Sequence, residues 1–278
     1  MRKILPTNDL MFKKMMTSEG KEYILQNFIQ VVTGMRLSNV KPTNPYQIQK
    51  YRENLAGVNL EMYQTIVDIA ATTEEGIDII IEMQLYKHRG FFERIRYYMA
   101  STYMDSYSAG HQTYKPVVSI VVTDFSVFKD DPEPRVEIGL VNLEKNREVL
   151  NEKGQPFERV YLVNLATTLP NQDEAFNEWR NFLKNGTITA KASKEIQDAY
   201  AVVDFYNLDS EEMKMAEQME KYEEVYWKTI EYAKETAREA GLKEGQVLAF
   251  LKMNLPIPEI MKHTGLSEEE IQKIKNTL

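Results

Sequence analysis

Two carboxylates and an amide are spaced so that a β-hairpin would bring them together. Asp68 lies in a β-branched run over residues 63–72, and Glu82 and Gln84 lie in a second run over 77–85. A short turn that contains glycine separates the runs, which is the pattern of a hairpin. Asp68 and Glu82 are each seven residues from the middle of that turn, so they should pair. Paired residues point to the same side and side chains alternate along a strand, so Gln84 shares their face.

Carboxylates that pair directly across a hairpin repel each other unless a positive charge neutralises them. A hard divalent cation does so, and we expect Mg²⁺, with Mn²⁺ as the alternative, bound by Asp68 and Glu82. Such an ion polarises a phosphodiester and lowers the pKa of an attacking water. This interpretation assigns Asp68, Glu82 and Gln84 to catalysis. Gln84 would orient the water or contact the phosphate, and the Met83 carbonyl would be a further ligand.

The same alternation is also typical of an ordinary antiparallel hairpin with one face in water. Asp68 and Glu82 would then be solvated surface residues with no chemistry. Apolar Ile66, Ala70 and Ile80 fall on the same face, which indicates that another element covers it. Parity alone leaves both interpretations open.

The amino-acid composition excludes several kinds of site. The chain has 278 residues and no cysteine, which excludes disulfides and thiol nucleophiles, and its three histidines are far apart. Carboxylates are therefore the remaining candidates for metal ligands. The net charge of −8 argues against a protein covered in DNA-binding charge. However, 14 acidic against 6 basic residues between 195 and 244 account for the whole excess.

The hydropathy of the chain bears on where the protein works. No apolar run approaches the roughly 20 residues that span a bilayer. The first residues also lack the apolar core of a signal peptide. We therefore expect a cytoplasmic protein with no membrane partner.

Periodicity predicts a mixed order of helices and strands. In chain order the predicted elements are helices over 9–17 and 19–34, the hairpin, a helix over 89–109, a buried strand over 116–123, short strands near 135–143 and 158–165, and mostly helix thereafter. Asp9 is a candidate cap for the first helix, and Gly34 should end the second. This order predicts an α/β (mixed α+β) fold rather than a bundle or a sandwich.

The pattern divides the chain into three predicted regions. Residues 1–170 form the core, 171–244 a charged helical region or arm, and 245–278 a small helix–turn–helix-like tail in which Ser267 caps the last helix. Acidic side chains at the start of that helix would repel phosphate, so we expect it to pack or to contact protein. A homo-oligomer through the helical C-terminal region is a further expected partner.

The motif D-x(13)-E-x-Q resembles the PD-(D/E)XK nuclease superfamily, and more narrowly its recombination-promoting nuclease and transposase branch, in which Gln replaces the usual Lys. Further blocks in the same order support the resemblance: Asp9-Leu10-Met11-Phe12-Lys13, Arg94 with Tyr97-Tyr98, Tyr114-Lys115-Pro116 before the apolar strand and Asp124-Phe125 after it, and Gly265-Leu266-Ser267. The resemblance implies a restriction-endonuclease-like αβββαβ core with a helical C-terminal region. It also implies magnesium-dependent endonuclease cleavage of DNA, associated with recombination or mobile elements.

The resemblance also suggests supporting residues around the hairpin. Arg94 and Tyr98 share one helix face, and Lys13 and Asp9 can reach the site from the first helix, so these four are candidates for DNA or phosphate contact and support. Neutral Gln84 cannot supply the charge of the usual lysine. The alternative is therefore a catalytically inactive protein that keeps the nuclease fold and acts as a nucleic-acid or protein binding module.

Overall fold

A computed structural model of the protein describes residues 4–44, 68–87, 90–108, 115–129, 132–204 and 207–276. Predicted strand residues 63–67, which include Ile66, and the basic residues His88 and Arg89 lie outside these ranges. Within them the secondary structure confirms the mixed α/β prediction.

Two amphipathic helices open the fold and lie against the main core. Helix α1 spans Asp9–Thr17 and helix α2 spans Glu22–Thr33. Asp9 was expected to cap α1, but the cap is Asn8, whose Oδ1 accepts a hydrogen bond from the N–H of Met11 at 3.3 Å. Asp9 is therefore the first residue of the helix, and its carboxylate is not used as the cap. Gly34 ends α2 in the left-handed conformation, as predicted.

One six-stranded mixed sheet forms the centre of the fold. The strands are β1 (Lys41–Pro42), β2 (Ile69–Thr72), β3 (Asp78–Gln84), β4 (Val117–Thr123), β5 (Arg135–Gly139) and β8 (Glu158–Asn164), with β6 (Val141–Asn142) and β7 (Arg147–Glu148) in a separate hairpin. The spatial order is β1-β2-β3-β4-β8-β5. Strands β3, β4 and β8 are parallel, so their carboxyl ends meet at one edge, while the other neighbours are antiparallel.

Helices cover both faces of the sheet. One face of β3 contributes Ile79 and Ile81 to a large core that also contains buried residues of α1 and α2. The opposite face contributes Ile80 to a second core under helix α3 (Phe91–Ser108). Strand β4 is buried along its whole length, as its unbroken apolar run predicts. The helix–three-strand–helix–strand succession therefore gives the predicted αβββαβ order.

The chain divides into two compact units, and the division falls between Met219 and Glu220 rather than near residue 170 or 244. Helices α4 (Glu174–Asn185) and α5 (Lys194–Val203) bury large side chains, including Trp179 and Phe182, in the main core. The first two helices of the predicted helical region or arm over 171–244 thus contribute to the main core.

The second unit has its own small core. Helix α6 (Ser210–Lys252) ends within it, and α7 (Ile257–Thr264) and α8 (Glu268–Lys275) complete it around three buried side chains, Val247, Ile260 and Ile271. Ser267 caps α8 in a reciprocal hydrogen-bonded box, as its position predicts. Among all the described residues, no helix is both long and apolar enough to cross a membrane.

Candidate active site

The hairpin ladder runs up to Asp68 and Glu82. Ile69 pairs with Ile81 at the end of the ladder, and Asp68 directly precedes Ile69 while Glu82 directly follows Ile81. The Oδ2 atom of Asp68 accepts a 2.6 Å hydrogen bond from the backbone N–H of Met83. The two acids therefore lie near each other at the end of the ladder, and a main-chain donor fixes the orientation of the Asp68 carboxylate. Their direct pairing stays a prediction.

Glu82 is buried, with only 4% of its surface exposed. It lies on the face of β3 that also carries Ile80, which packs in the core under α3. The alternative in which Glu82 is a solvated residue on an open hairpin face is therefore wrong. Its Oε1 atom has no hydrogen-bond partner among the described residues. Such an unpaired buried carboxylate oxygen is costly unless a cation accompanies it.

Gln84 lies half-buried at the end of β3, two residues beyond Glu82 on the same face. Its Nε2 atom donates a 2.9 Å hydrogen bond to the backbone carbonyl of Met83. The Gln84 amide, which we expected to orient water, therefore donates a hydrogen bond to the Met83 carbonyl, which we expected to bind the metal. The bond fixes the Gln84 amide against the backbone of β3.

Helix α3 brings Arg94 and Tyr98 to the carboxylates. Burial raises the pKa of Glu82 to about 8, and the positive charge of Arg94 is the largest influence that lowers it. The phenol of Tyr98 is buried, and its pKa is raised by burial and by the negative charges of Glu82 and Asp68. Arg94 and Tyr98, one helical turn apart, therefore both face the hairpin site, as the shared helix face predicts.

Helix α1 contributes Asp9 and Lys13, which are also one turn apart. Lys13 is buried at 8% exposure, an unusual state for a lysine. Burial raises the pKa of Asp9 to about 6, and the charge of Lys13 opposes the shift. The same lysine lowers the pKa values of Asp68 and Glu82, while Asp9 raises them. These electrostatic interactions thus connect six of the residues identified from the sequence, namely Asp9, Lys13, Asp68, Glu82, Arg94 and Tyr98. Their roles, and the role of Gln84, stay predictions.

The pKa of Asp68 is raised well above its ordinary value, first by burial and then by the negative charges of Glu82 and Asp9, against the hydrogen bond from Met83. Burial and mutual repulsion both oppose ionisation of the two carboxylates, a combination that is typical of sites that bind a cation. Two basic residues nearby, Lys13 and Arg94, offset part of this cost.

The donor set suits a hard divalent cation. Within the described part of the chain, no group of three or more His, Cys, Asp or Glu side chains is placed to hold a metal. Asp68 and Glu82 therefore supply two carboxylates only, and waters, phosphate or a carbonyl would complete the ligands. This is the usual protein contribution to Mg²⁺, which is typically held by one or two carboxylates. The unpartnered Oε1 of Glu82 fits such a ligand role.

Sequence reasoning missed a polar row at the carboxyl edge of the parallel strands. Gln84 is in register with Thr123 of β4, which is in register with Asn164 of β8, and both partners are buried. The backbone N–H of Asp124 donates to the carbonyl of Gln84 at 3.2 Å, and Lys184 pairs with the Asp124 carboxylate. The row forms because parallel strands end at the same edge, and the sequence alone carried no signal for which strands are parallel.

Comparison with known proteins gives one family. The model of a family described as PD-(D/E)XK nuclease family transposase matches residues 6–233, well over half of the chain. No curated protein and no solved structure matched. The matched range includes α1, the hairpin and α3, and therefore every residue that forms the candidate site.

Proposed function

The chain belongs to the PD-(D/E)XK nuclease family transposases, and on that premise we propose that it is a divalent-metal-dependent endonuclease that cleaves DNA in recombination or in the movement of mobile elements. The observation that carries the proposal is the buried carboxylate of Glu82, whose Oε1 atom has no partner in the described part of the chain and whose negative charge raises the pKa of nearby Asp68. A structural carboxylate would be expected to have its hydrogen bonds satisfied.

Asp68 and Glu82 hold the metal in this proposal. When bound, a Mg²⁺ or Mn²⁺ ion would polarise the scissile phosphate and lower the pKa of an attacking water. Met83 supports the ligands through its backbone N–H, which keeps the Asp68 carboxylate turned toward Glu82. Gln84, two residues after Glu82 on the same face of β3, would position the water or the phosphate.

Lys13 and Arg94 supply the positive charge that neutral Gln84 lacks. Both already act on the carboxylates, because each lowers the pKa of Glu82. A cation in a water-poor site stabilises the charge that develops on a phosphoryl group more than the same cation would in water. Tyr98 closes the site from α3 as a buried phenol, and Asp9 completes the charge pattern from α1.

The test is nicking of supercoiled plasmid over a magnesium titration, repeated with manganese. We expect cleavage that requires the metal and is lost in Asp68→Asn and Glu82→Gln, which keep the size of each side chain. Asp78→Asn is the matched control, since Asp78 lies on the same strand and face but pairs with Lys115 at 3.5 Å. Cleavage that survives both site substitutions would overturn the assignment.

A catalytically inactive binding module is the second candidate function. The observation that favours it is Gln84, whose amide is joined to the Met83 carbonyl where a lysine would carry charge. This candidate predicts DNA binding without cleavage at every concentration of either metal. The plasmid assay, read together with a DNA-binding assay on the same protein, distinguishes the two.

A further inference from the structure

Four phenylalanines form an aromatic cluster made of Phe91, Phe92, Phe125 and Phe128. The ring of Phe91 contacts those of Phe92 and Phe125, with centroids 5.2 and 5.8 Å apart. Phe92 and Phe128 lie against each other at 5.7 Å with an angle of 31° between their planes. The two inner rings, Phe91 and Phe125, pack in or on the core under α3, so they fix the two outer rings in place.

The cluster lies next to the carboxyl end of β3, where Gln84 is. Asp124, which is bonded to the carbonyl of Gln84, directly precedes Phe125. Lys87 follows Gln84 by three residues and donates to the carbonyl of Val127 at 3.1 Å. Its Nζ atom also lies 6.0 Å from the centre of the Phe125 ring. The loop that carries Phe125 and Phe128 is thus tied to the strand that carries Glu82 and Gln84.

The two outer rings are partly exposed to water although the hydrophobic core under α3 lies close by. Phe92 is 36% exposed and Phe128 is 37% exposed. Solvated lysines accompany them, since Lys87 and Lys129 are both exposed. Exposed aromatic rings with neighbouring cations are the feature that proteins use to bind single-stranded nucleic acid, because every base has a face that can stack.

We propose that Phe92 and Phe128 form a stacking platform for unpaired bases, so that the preferred substrate is DNA with a single-stranded segment beside the cleaved bond. The inference rests on the proposed nuclease function for the location of that bond and extends it to a substrate class. Lys87 and Lys129 would contact the adjoining phosphates. Among the described residues the nearby acids are Asp124, which pairs with Lys184, and exposed Glu93 at the start of α3. In the sequence, Asp130 and Asp131 also follow Lys129.

The experiment measures binding of two fluorescein-labelled probes, a single strand and the blunt duplex of the same sequence, by anisotropy in EDTA so that cleavage cannot occur. The double variant Phe92→Leu, Phe128→Leu keeps apolar bulk and removes the stacking faces. We expect it to bind the single strand about tenfold more weakly or worse, with duplex affinity unchanged. Phe92→Tyr with Phe128→Tyr keeps the rings and should retain wild-type affinity, which excludes a folding effect.

Tyr232→Leu is the matched control, because Tyr232 is an aromatic residue with 72% exposure on α6, far along the sequence from the site. Single-strand affinity that is unchanged in the leucine double variant, or that falls equally for the duplex, would overturn the inference. Metal-dependent plasmid nicking by the same variants is read separately. Metal-dependent nicking with unchanged single-strand binding in the leucine double variant would overturn the stacking platform and leave the nuclease proposal standing. Single-strand binding that depends on the rings, without any nicking, would overturn the nuclease proposal and leave the platform standing.

Discussion

The carboxylate of Asp68 accepts a 2.6 Å hydrogen bond from the backbone N–H of Met83, the residue that follows Glu82. A main-chain hydrogen bond from Asp68 in turn lowers the pKa of Glu82. Each acid is therefore tied to the strand segment of the other, and the two side chains are held together although they repel. Burial disfavours both charges, so this arrangement favours either a bound proton or a cation between the two carboxylates.

The raised pKa of Glu82 predicts how stability depends on pH in metal-free protein. The pKa is about 8 in the folded state against an ordinary value of 4.5, so the folded state binds the proton more tightly. The stabilisation is complete below about pH 4.5 and is lost as the pH rises toward about 8. Glu82→Gln should remove this loss and gain roughly 2–4 kcal/mol at the alkaline end. Urea denaturation in EDTA across this range measures it.

Glu75→Gln is the opposite-sign control for that experiment. The pKa of Glu75 is lowered, chiefly by the hydroxyl of Ser38, so its stabilisation is present at neutral pH and is lost as the pH falls. Its substitution should lower stability at neutral pH without flattening the alkaline loss. A wild-type protein whose stability does not fall between the two pKa values of Glu82 would contradict the prediction.

The core of the site was predictable because its information is local. The turn fixes the register of the hairpin, and side-chain parity then fixes the face. The parallel contact between β3 and β4 is set by segments far apart in sequence, so Asp124 beside Gln84 could not be anticipated. The backbone bond from Met83 was likewise invisible, since a main-chain donor leaves no signature in the sequence.

The misplaced cap of α1 and the division into two compact units have different physical causes. Asn8 and Asp9 are adjacent and both side chains can cap a helix, so composition could not choose between them. The first unit includes α4 and α5 because they pack against α1 and α2 in the main core. Their amphipathic patterns predict that they have an apolar face but not what that face contacts.

Lys13 should set the acidic limit of cleavage. Its charge lowers the pKa values of Asp9, Asp68 and Glu82, so Lys13→Met should raise all three and leave the carboxylates protonated at higher pH. We expect a shift of the acidic limb to higher pH and a loss of about 100-fold in cleavage at neutral pH. The pH profile of plasmid nicking measures both, and Lys13→Arg should restore part of the rate.

The neighbouring Lys14 provides the control. Lys14 pairs with Glu212 at 2.6 Å rather than with the candidate site, so Lys14→Met should affect stability and leave the pH profile in place. If Lys13→Met and Lys14→Met both have the wild-type pH profile of nicking, the charge of Lys13 does not lower the pKa values of the carboxylates.

Gln84→Lys should accelerate cleavage if the site is limited by missing charge. Gln84 is half-buried two residues after Glu82 on the same face of β3, so a lysine there would add a positive charge near the proposed metal ligands. We expect a rate gain of about tenfold, measured as nicking under saturating magnesium. Gln84→Met removes the amide without adding charge and should be slower than wild type. Equal rates for the lysine and methionine variants would show that charge at this position is immaterial.

The cap of α1 should matter to activity beyond its effect on stability. Asn8 bonds the N–H of Met11, and its Nδ2 atom also donates to the carbonyl of Ala216 at 3.2 Å. Asn8→Ala should cost about 1 kcal/mol of unfolding free energy. Because the freed helix end carries Asp9 and Lys13, the same change should also weaken magnesium binding and slow cleavage.

Ser193→Ala separates the two effects of a lost cap. Ser193 caps α5 by accepting from the N–H of Ile196, and α5 carries none of the candidate site residues. Its substitution should cost a similar amount of stability, seen as the same shift in urea midpoint, while the magnesium dependence of nicking stays that of the wild type. If Asn8→Ala and Ser193→Ala lower activity equally, the start of α1 acts only through stability, and Asp9 and Lys13 need no precise placement.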